Sequence, residues 1–221
     1  AKGSYVTPGF IDLHTHGAGG YDFMDGTADA IIKACHTHMM HGTTAICPTT
    51  LTSTNEDLYN FFNCYKQAKK TMKNGPELLG IHMEGPYFSL EQRGAQDPKY
   101  IKTPKQEEYF EMLSKSDSII RMSAAPELDG ALELGRELRS RGILPSIGHS
   151  DAVFQTVSEA YDCGYTHITH LYSGMSTIRR INAYRHLGVV ESAYLIDGMT
   201  VEIIADGKHL PPELLRLILK C

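Results

Sequence analysis

The chain has 221 residues, of which 42% are hydrophobic, and a formal net charge of -5, so it can bury the core of one domain. It has no basic cluster, no apolar run of membrane-spanning length and no signal-peptide pattern, which argues against nucleic-acid and membrane partners. The five cysteines are odd in number and form no Cys-x-x-Cys pair, as is typical of reduced thiols, so we expect a cytoplasmic protein.

Short β-rich runs alternate with helical patterns along the whole chain. Strands are predicted near 8–13, 43–48, 77–83, 119–124, 143–148, 165–171 and 199–205. Helices are predicted at 28–41, 54–74, 130–141, 151–162 and 211–220, with another starting at the capping pattern of Thr103. This alternation predicts an α/β fold with a parallel sheet. Seven strands without a glycine-rich phosphate loop favour most of a (β/α)8 TIM-barrel-like domain, spanning residues 1–221.

His14 and His16 stand one residue apart at the end of the first predicted strand. Alternate residues of a strand point to one face, and barrel enzymes carry their chemistry at the carboxyl ends of their strands. His36 and His38 have the same spacing in a predicted helix, where about 200° separates them. We interpret those two and His41 as solvated or packed helix residues. An isolated pair is weak evidence, so His14 and His16 are either metal ligands or ordinary polar residues beside a loop.

Three more predicted strands end in a histidine or a glutamate. Glu84 ends the third strand, His149 follows the fifth and His170 ends the sixth. Four strand ends thus offer imidazole or carboxylate groups to one pocket, a donor set that suits Zn²⁺, Fe²⁺, Mn²⁺ or Co²⁺. His167 faces away from His170 on the same strand, and we choose His170 because it is nearer the end. His82 either lines the barrel below the metal or is a hydrogen-bonded core residue.

Eight segments carry a family resemblance, in the order TPGFIDLHTHG, HGTTAICPT, GIHMEGPY, GAQDPKYI, AAPE, GHSDA, THLYSGMS and IADGKHL. By these motifs the chain resembles the amidohydrolase superfamily and, more closely, the N-acetylglucosamine-6-phosphate deacetylases within it. The resemblance implies metal-dependent hydrolysis of the N-acetyl group of N-acetylglucosamine 6-phosphate, which gives glucosamine 6-phosphate and acetate. Most of the superfamily bridges its metals with a lysine on the fourth strand. That strand reads SAAPE here, and Glu84 takes the role, as in these deacetylases.

The resemblance also implies a role for each motif residue. Glu84, His149 and His170 would hold the main divalent ion, and His14 and His16 would help to hold a second, so one or two ions are implied. The implied substrate contacts are Ala95, Gln96, Ser173, Gly174, Arg185 and His209.

Among those contacts, His209 is also the candidate catalytic residue, because it or Gln96 would donate to the tetrahedral oxyanion. Arg185 is the best match to the family's phosphate-binding arginine, with Arg179 and Arg180 as competitors. Ser173 and Gly174 depart from the Asn-Ala pair of many members, which makes the phosphate preference less secure than the hydrolysis.

Compared with the family, the barrel is expected to be incomplete, with the eighth strand and a flanking β-domain absent. The family's proton-donating aspartate, at the end of the eighth strand, has no match before Cys221. We therefore expect these 221 residues alone to be inactive or nearly so. The unpaired edges of the first and seventh strands favour a homo-oligomer. The expected partner is a small-molecule amino sugar phosphate. Two alternatives stay open: another metal-dependent amidohydrolase, such as a deaminase or an N-acyl-amino-acid hydrolase, and a metal-binding fragment without catalysis.

Overall fold

In the computed structural model, residues 2–220 are described, and they divide into two compact units. The first unit comprises the chain up to Met83 and the segment Glu111–Ile120. The second comprises Glu84–Phe110 and the chain from Arg121 onward. We describe each unit by itself, and the organisation of the whole chain as one barrel domain stays a prediction.

The first unit contains a parallel three-stranded sheet. Its elements are β1 (Phe10–Thr15), β2 (Gly17–Ala18), β3 (Tyr21–Asp22), α1 (Ala28–Met40), β4 (Thr43–Pro48), α2 (Asn55–Thr71) and β5 (Glu77–Leu78). The sheet has the order β1-β4-β5, and β2 and β3 form a short hairpin. Because α1 and α2 connect parallel strands, this unit has the predicted α/β pattern.

Three elements contribute residues to both units: β6 (Ile81–Glu84), α3 (Gln106–Ser114) and β7 (Ile119–Ala124). The second unit continues with α4 (Ala131–Ser140), β8 (Leu144–Ile147), α5 (Phe154–Asp162), β9 (His167–Ile168), β10 (Arg179–Ile181), β11 (Tyr184–His186), α6 (Val189–Leu195), β12 (Thr200–Val201) and α7 (Pro212–Ile218). In it β7, β8, β9 and β12 are parallel neighbours in that order, and β10 pairs with β11 in an antiparallel hairpin.

All seven predicted strand regions contain a parallel strand, which confirms the α/β class. Within residues 2–220 no further parallel strand follows β12. The predicted strand at 77–83 is interrupted between β5 and β6 at Gly80. A Cβ at Gly80 would lie 2.5 Å from the Ile120 side chain, so the backbone comes close to that residue there. Closure into a barrel stays a prediction.

The sequence prediction placed the start of one helix too early and missed another helix. Its capping pattern put the N-cap at Thr103, whereas α3 begins at Gln106. The reason is that the Tyr109 amide donates to the Lys105 carbonyl, so Lys105 is the residue that precedes the helix. Helix α6 was not predicted at all, because Val189 and Val190 favour a strand by propensity.

The four described cysteines, Cys35, Cys47, Cys64 and Cys163, are buried and form no disulfide, and Cys221 lies outside the described residues. Burial raises the pKa of the Cys35 thiol to about 12, so this thiol stays protonated and unreactive. Among the described residues, no helix combines the length and the apolar character that crossing a membrane requires.

Candidate metal centre

Glu84, His149 and His170 come together at the carboxyl ends of strands in the second unit. Glu84 is the last residue of β6, and the two histidines lie two residues beyond β8 and β9. Since Ile147 and Ile168 pair in register at the ends of those parallel strands, His149 and His170 leave the sheet side by side. All three side chains are buried.

The donor atoms of these three residues have the spacing of metal ligands. Glu84 Oε1 lies 3.3 Å from His149 Nε2 and 3.1 Å from His170 Nε2, and the two Nε2 atoms are 3.2 Å apart. Two ligands bound at about 2.1 Å to one tetrahedral ion are separated by roughly 3.4 Å. One carboxylate and two imidazoles that converge in this way fit a divalent ion.

Both histidines have a backbone conformation that non-glycine residues rarely adopt. His149 has φ 49° and His170 has φ 35°, in the left-handed region. Such residues cost on the order of 1–3 kcal/mol and cluster at functional sites. This backbone conformation also bears on the choice of His170 over His167, which assumed that both residues lie on one strand. Because β9 ends at Ile168, strand alternation from His167 does not extend to His170, which reaches the cluster through its turn.

The backbone around His149 fixes its imidazole. His149 Nδ1 lies 2.9 Å from the Gln92 carbonyl, which can only accept, so Nδ1 carries the hydrogen and the Nε2 lone pair is available for a metal. Gly174 backs the same ring. A Cβ there would lie 2.9 Å from His149 Nδ1 and 3.0 Å from the Gln92 oxygen, at φ +57°. Gly174, implied to be a substrate contact, therefore also supports His149.

Gln96 is buried and donates from Nε2 to Glu84 Oε2 over 2.8 Å. The other carboxylate oxygen, Oε1, remains directed at the two histidines. Gln96 therefore orients the carboxylate, a role that the implied substrate contact did not include. Ala95 beside it is exposed. Ser173 is half-buried and donates its amide to the His170 carbonyl over 2.9 Å.

The three candidate arginines lie on the β10–β11 hairpin. Arg179 donates to the Asp151 carboxylate and also to the Asp151 carbonyl, over 2.8 Å. Arg180 pairs directly with Arg185 across the hairpin, and both are exposed. Like charges in facing positions are destabilising, and an anion bound between them would offset that cost.

His209 lies in the exposed loop before α7, next to Asp206. Asp206 accepts from the backbone amides of His209 and Lys208, at 3.0 and 2.9 Å, and lies 2.9 Å from His209 Nδ1. The His209 amide, the Lys208 amide and the imidazole together hold the pKa of Asp206 well below its usual range. Asp206 is therefore ionised at neutral pH, so it orients the His209 ring and is a poor proton donor.

In the first unit, His14 and His16 are close together at the end of β1. Their ring centroids are 5.3 Å apart, and the His82 ring lies 4.7 Å from His14. His16 Nδ1 also lies 3.3 Å from the Thr49 carbonyl. His82 is fully buried. The helical His38, by contrast, lies with its Nε2 3.1 Å from Thr15 Oγ1, as a packed helix residue would.

Sequence reasoning missed Glu127, although it is the last residue of AAPE. The carboxylate accepts from Ser150 Oγ over 2.7 Å and from the Asp151 amide over 2.5 Å, which braces the turn that follows His149. Burial raises the pKa of this carboxyl. A cavity of about 570 Å³ is lined by Glu127, Asp151 and Phe88, and the Phe88 ring lies 4.4 Å from that of His149. The sequence feature that could have identified Glu127 is a carboxylate placed soon after a predicted strand, the kind of position that identified the metal-site residues.

Known proteins with similar sequences are named as deacetylases of amino sugar phosphates. The chain is 35% identical over 213 residues to N-acetylglucosamine-6-phosphate deacetylase of Bacillus subtilis, covering 95% of this chain and 53% of that protein. It is 30% identical to N-acetylgalactosamine-6-phosphate deacetylase of Escherichia coli O157:H7, covering 98% of this chain and 56% of that protein. The chain thus spans about half the length of the curated relatives it matches.

Solved structures give the same result. A mutant N-acetyl-D-glucosamine-6-phosphate deacetylase from Mycobacterium smegmatis, in complex with N-acetyl-D-glucosamine-6-phosphate, matches with a TM-score of 0.88 at 32% identity, over 96% of this chain and 54% of that one. The Thermotoga maritima deacetylase matches with a TM-score of 0.84 at 31% identity, over 96% of this chain and 55% of that one. The sequence profile of the Amidohydrolase family matches residues 5–220, and the chain therefore belongs to that family.

Proposed function

We propose that the protein carrying this chain hydrolyses the N-acetyl group of N-acetylglucosamine 6-phosphate, with a divalent ion held by Glu84, His149 and His170. The observation that carries the proposal is the convergence of Glu84 Oε1 and two imidazole Nε2 atoms within 3.3 Å of one another. Relatives named as deacetylases of this substrate support the reaction class.

The donor set suits Zn²⁺, Fe²⁺, Mn²⁺ or Co²⁺. A bound divalent ion would acidify a water molecule and polarise the acetamide carbonyl. The chain's own residues keep the ligands in place: the Gln92 carbonyl fixes the tautomer of His149, and Gln96 orients Glu84. A second divalent ion would be held with the help of His14 and His16.

We assign substrate contacts to Ala95, Gln96, Ser173, Gly174, Arg185 and His209. His209, oriented by Asp206, is the candidate donor to the developing oxyanion. Arg185 is the candidate phosphate ligand, since a guanidinium matches phosphate geometry and Arg180 faces it across the hairpin. Arg179 is the weaker candidate because Asp151 already engages it. A cytoplasmic location and a homo-oligomeric state stay predictions.

The test is the release of acetate from the acetylated substrates, or of ammonia from the nucleobase, by purified protein with added metal on a panel of substrates. The panel contains N-acetylglucosamine 6-phosphate, its 4-epimer N-acetylgalactosamine 6-phosphate, the unphosphorylated sugar, an N-acetyl amino acid and a nucleobase. Turnover that is fastest on N-acetylglucosamine 6-phosphate supports the proposal. The 4-epimer is included because one relative bears that name, and faster turnover of it would overturn the sugar assignment but keep the reaction. Turnover of the amino acid or the nucleobase alone would overturn it in favour of another amidohydrolase. The assay uses the protein that carries this chain.

A further inference from the structure

A buried network of charged and polar side chains lies in the second unit, outside the donor set of the metal centre. Arg121 on β7 donates from both terminal nitrogens to Glu202, over 2.6 and 3.0 Å. His167 on β9 lies with its Nε2 3.5 Å from Arg121 and 3.6 Å from Glu202. His167 Nδ1 in turn lies 2.8 Å from Thr200 Oγ1 on β12. The ion pair is almost fully enclosed, with side-chain exposures of 6% and 12%.

This network holds the turn that carries His170. The His170 amide donates to Glu202 Oε1 over 3.3 Å. The main chain of Glu202 bonds on both sides of that turn, since its amide donates to Ile168 and its carbonyl accepts from Leu171, each close to 3 Å. Three hydrogen bonds from one residue therefore surround a histidine whose φ of 35° is costly in isolation.

The network also extends across four neighbouring strands of the sheet. Arg121 is on β7, and Glu202 directly follows β12, so the ion pair bridges the two outer strands of the parallel set β7-β8-β9-β12. The two histidines of the metal centre follow β8 and β9, the strands between them. A guanidinium that binds both carboxylate oxygens fixes the orientation of that carboxylate, and with it the oxygen that faces the His170 amide.

Stability alone is a weak explanation for such a pair. Enclosing two charges carries a large desolvation cost, and well-packed apolar residues of similar volume are often as stabilising. An apolar replacement would, however, leave the His170 amide without its carboxylate acceptor.

We propose that Glu202, held by Arg121, is a positioning residue for His170 and sets the affinity of the metal centre. This inference rests on the proposed function, which makes His170 a ligand. Residues that orient metal ligands typically contribute about 10–100-fold to metal affinity.

Two matched double variants separate positioning from packing. Arg121→Met with Glu202→Gln removes both charges but keeps a carbonyl oxygen for the His170 amide. Arg121→Met with Glu202→Met removes both charges and that acceptor. A third double variant, Arg136→Met with Glu133→Gln, removes an exposed ion pair on α4 and is the control.

Three properties are measured on each variant: the Zn²⁺ dissociation constant by chelator competition, the visible spectrum with Co²⁺, and urea unfolding without metal. We expect the Met/Met variant to bind Zn²⁺ about 10–100-fold more weakly and to alter the Co²⁺ spectrum. The Met/Gln variant should stay within a few-fold of the parent, as should the control. Equal affinities and equal spectra for the Met/Met and Met/Gln variants would overturn the inference.

Hydrogen exchange of the His170 amide in metal-free protein distinguishes this failure from failure of the proposed function. The inference predicts faster exchange in the Met/Met variant than in the Met/Gln variant. Unchanged Zn²⁺ binding after Glu84→Ala would reject the proposed metal centre, whereas equal exchange rates in the two double variants would reject the positioning role itself.

Discussion

At the scale of single residues, the two histidines of the proposed metal centre depend on unusual backbone. His149 and His170 both lie in the left-handed region, and each is held by groups that no motif pattern identifies as partners. The Gln92 carbonyl fixes the ring of His149, and the Glu202 carboxylate accepts from the His170 amide. The orientation of the two histidine ligands therefore depends on residues that surround them.

Gly174→Ala tests the support behind His149. The new methyl group would meet His149 Nδ1 at 2.9 Å, at a φ of +57°. We expect a loss of stability of about 1–2 kcal/mol from the left-handed backbone alone, and a further loss of metal affinity from displacement of the ring. Urea unfolding and the Zn²⁺ dissociation constant are the measurements.

Gly207→Ala is the matched control for this change. Gly207 has φ +72° with nothing within 4 Å of the added Cβ. Alanine there would therefore impose the same backbone strain but would not contact any neighbouring side chain. We expect Gly207→Ala to lower stability and leave Zn²⁺ affinity unchanged. If the two variants bound Zn²⁺ equally well, Gly174 would have no role in supporting His149.

The Asp151–Arg179 ion pair makes stability depend on pH. Burial opposes ionisation of Asp151, but donation from Arg179 and Gln92 outweighs it, so the pKa of this carboxyl is lowered. The pair therefore stabilises the fold above the unfolded pKa of about 3.9, and this contribution is lost as pH falls through the lower folded value. Arg179→Met should cost about 0.5–1 kcal/mol at pH 7 and less at pH 3.

Urea unfolding of the parent and of Arg179→Met at both pH values checks this. Arg180→Met, at the neighbouring position, is the control and should change stability little at either pH. A difference between the parent and Arg179→Met that is the same at pH 7 and pH 3 would mean that Asp151 ionisation is not involved.

At the scale of elements, the sequence identified the strand ends at which Glu84, His149 and His170 cluster, but not how the chain leaves those strands. Hydrophobic runs and terminal polar residues are local signals, so Glu84, His149 and His170 could be identified from their own segments. The turn at His170 could not, because it depends on Glu202, 32 residues later in the chain. The β10–β11 hairpin lies in a stretch where no strand was predicted, since its short strands carry arginines in place of an apolar alternation.

That hairpin carries the prediction on phosphate. In the protein that carries this chain, Arg185→Ala should weaken turnover of the phosphorylated sugar by about 2–4 kcal/mol of transition-state stabilisation, because the substrate phosphate would lose its cationic partner. The unphosphorylated sugar, tested with the same variant, should be affected little. kcat/KM for both sugars is the measurement. Equal losses on the two substrates would make Arg185 structural, and Arg180 would then be the next candidate.

At the scale of the whole molecule, the chain matches about half the length of its curated relatives. Family membership and the α/β class follow from features distributed over nearly all 221 residues, which is why sequence reasoning reached them. The ligand assignment depends instead on the spacing of three buried atoms, which are Glu84 Oε1 and the Nε2 atoms of His149 and His170. It is the central claim and is open to a direct test.

The most direct measurement is the metal content of purified protein, by elemental analysis, for the parent and for Glu84→Ala. Glu84 Oε1 lies within 3.3 Å of both imidazole nitrogens, so its removal takes the one anionic donor from the set. The double variant His36→Ala with His38→Ala is the control, since the two side chains lie on one helix and point apart. We predict that Glu84→Ala loses most of its metal while the double variant retains it. Metal content in Glu84→Ala equal to that of the parent would contradict the assignment.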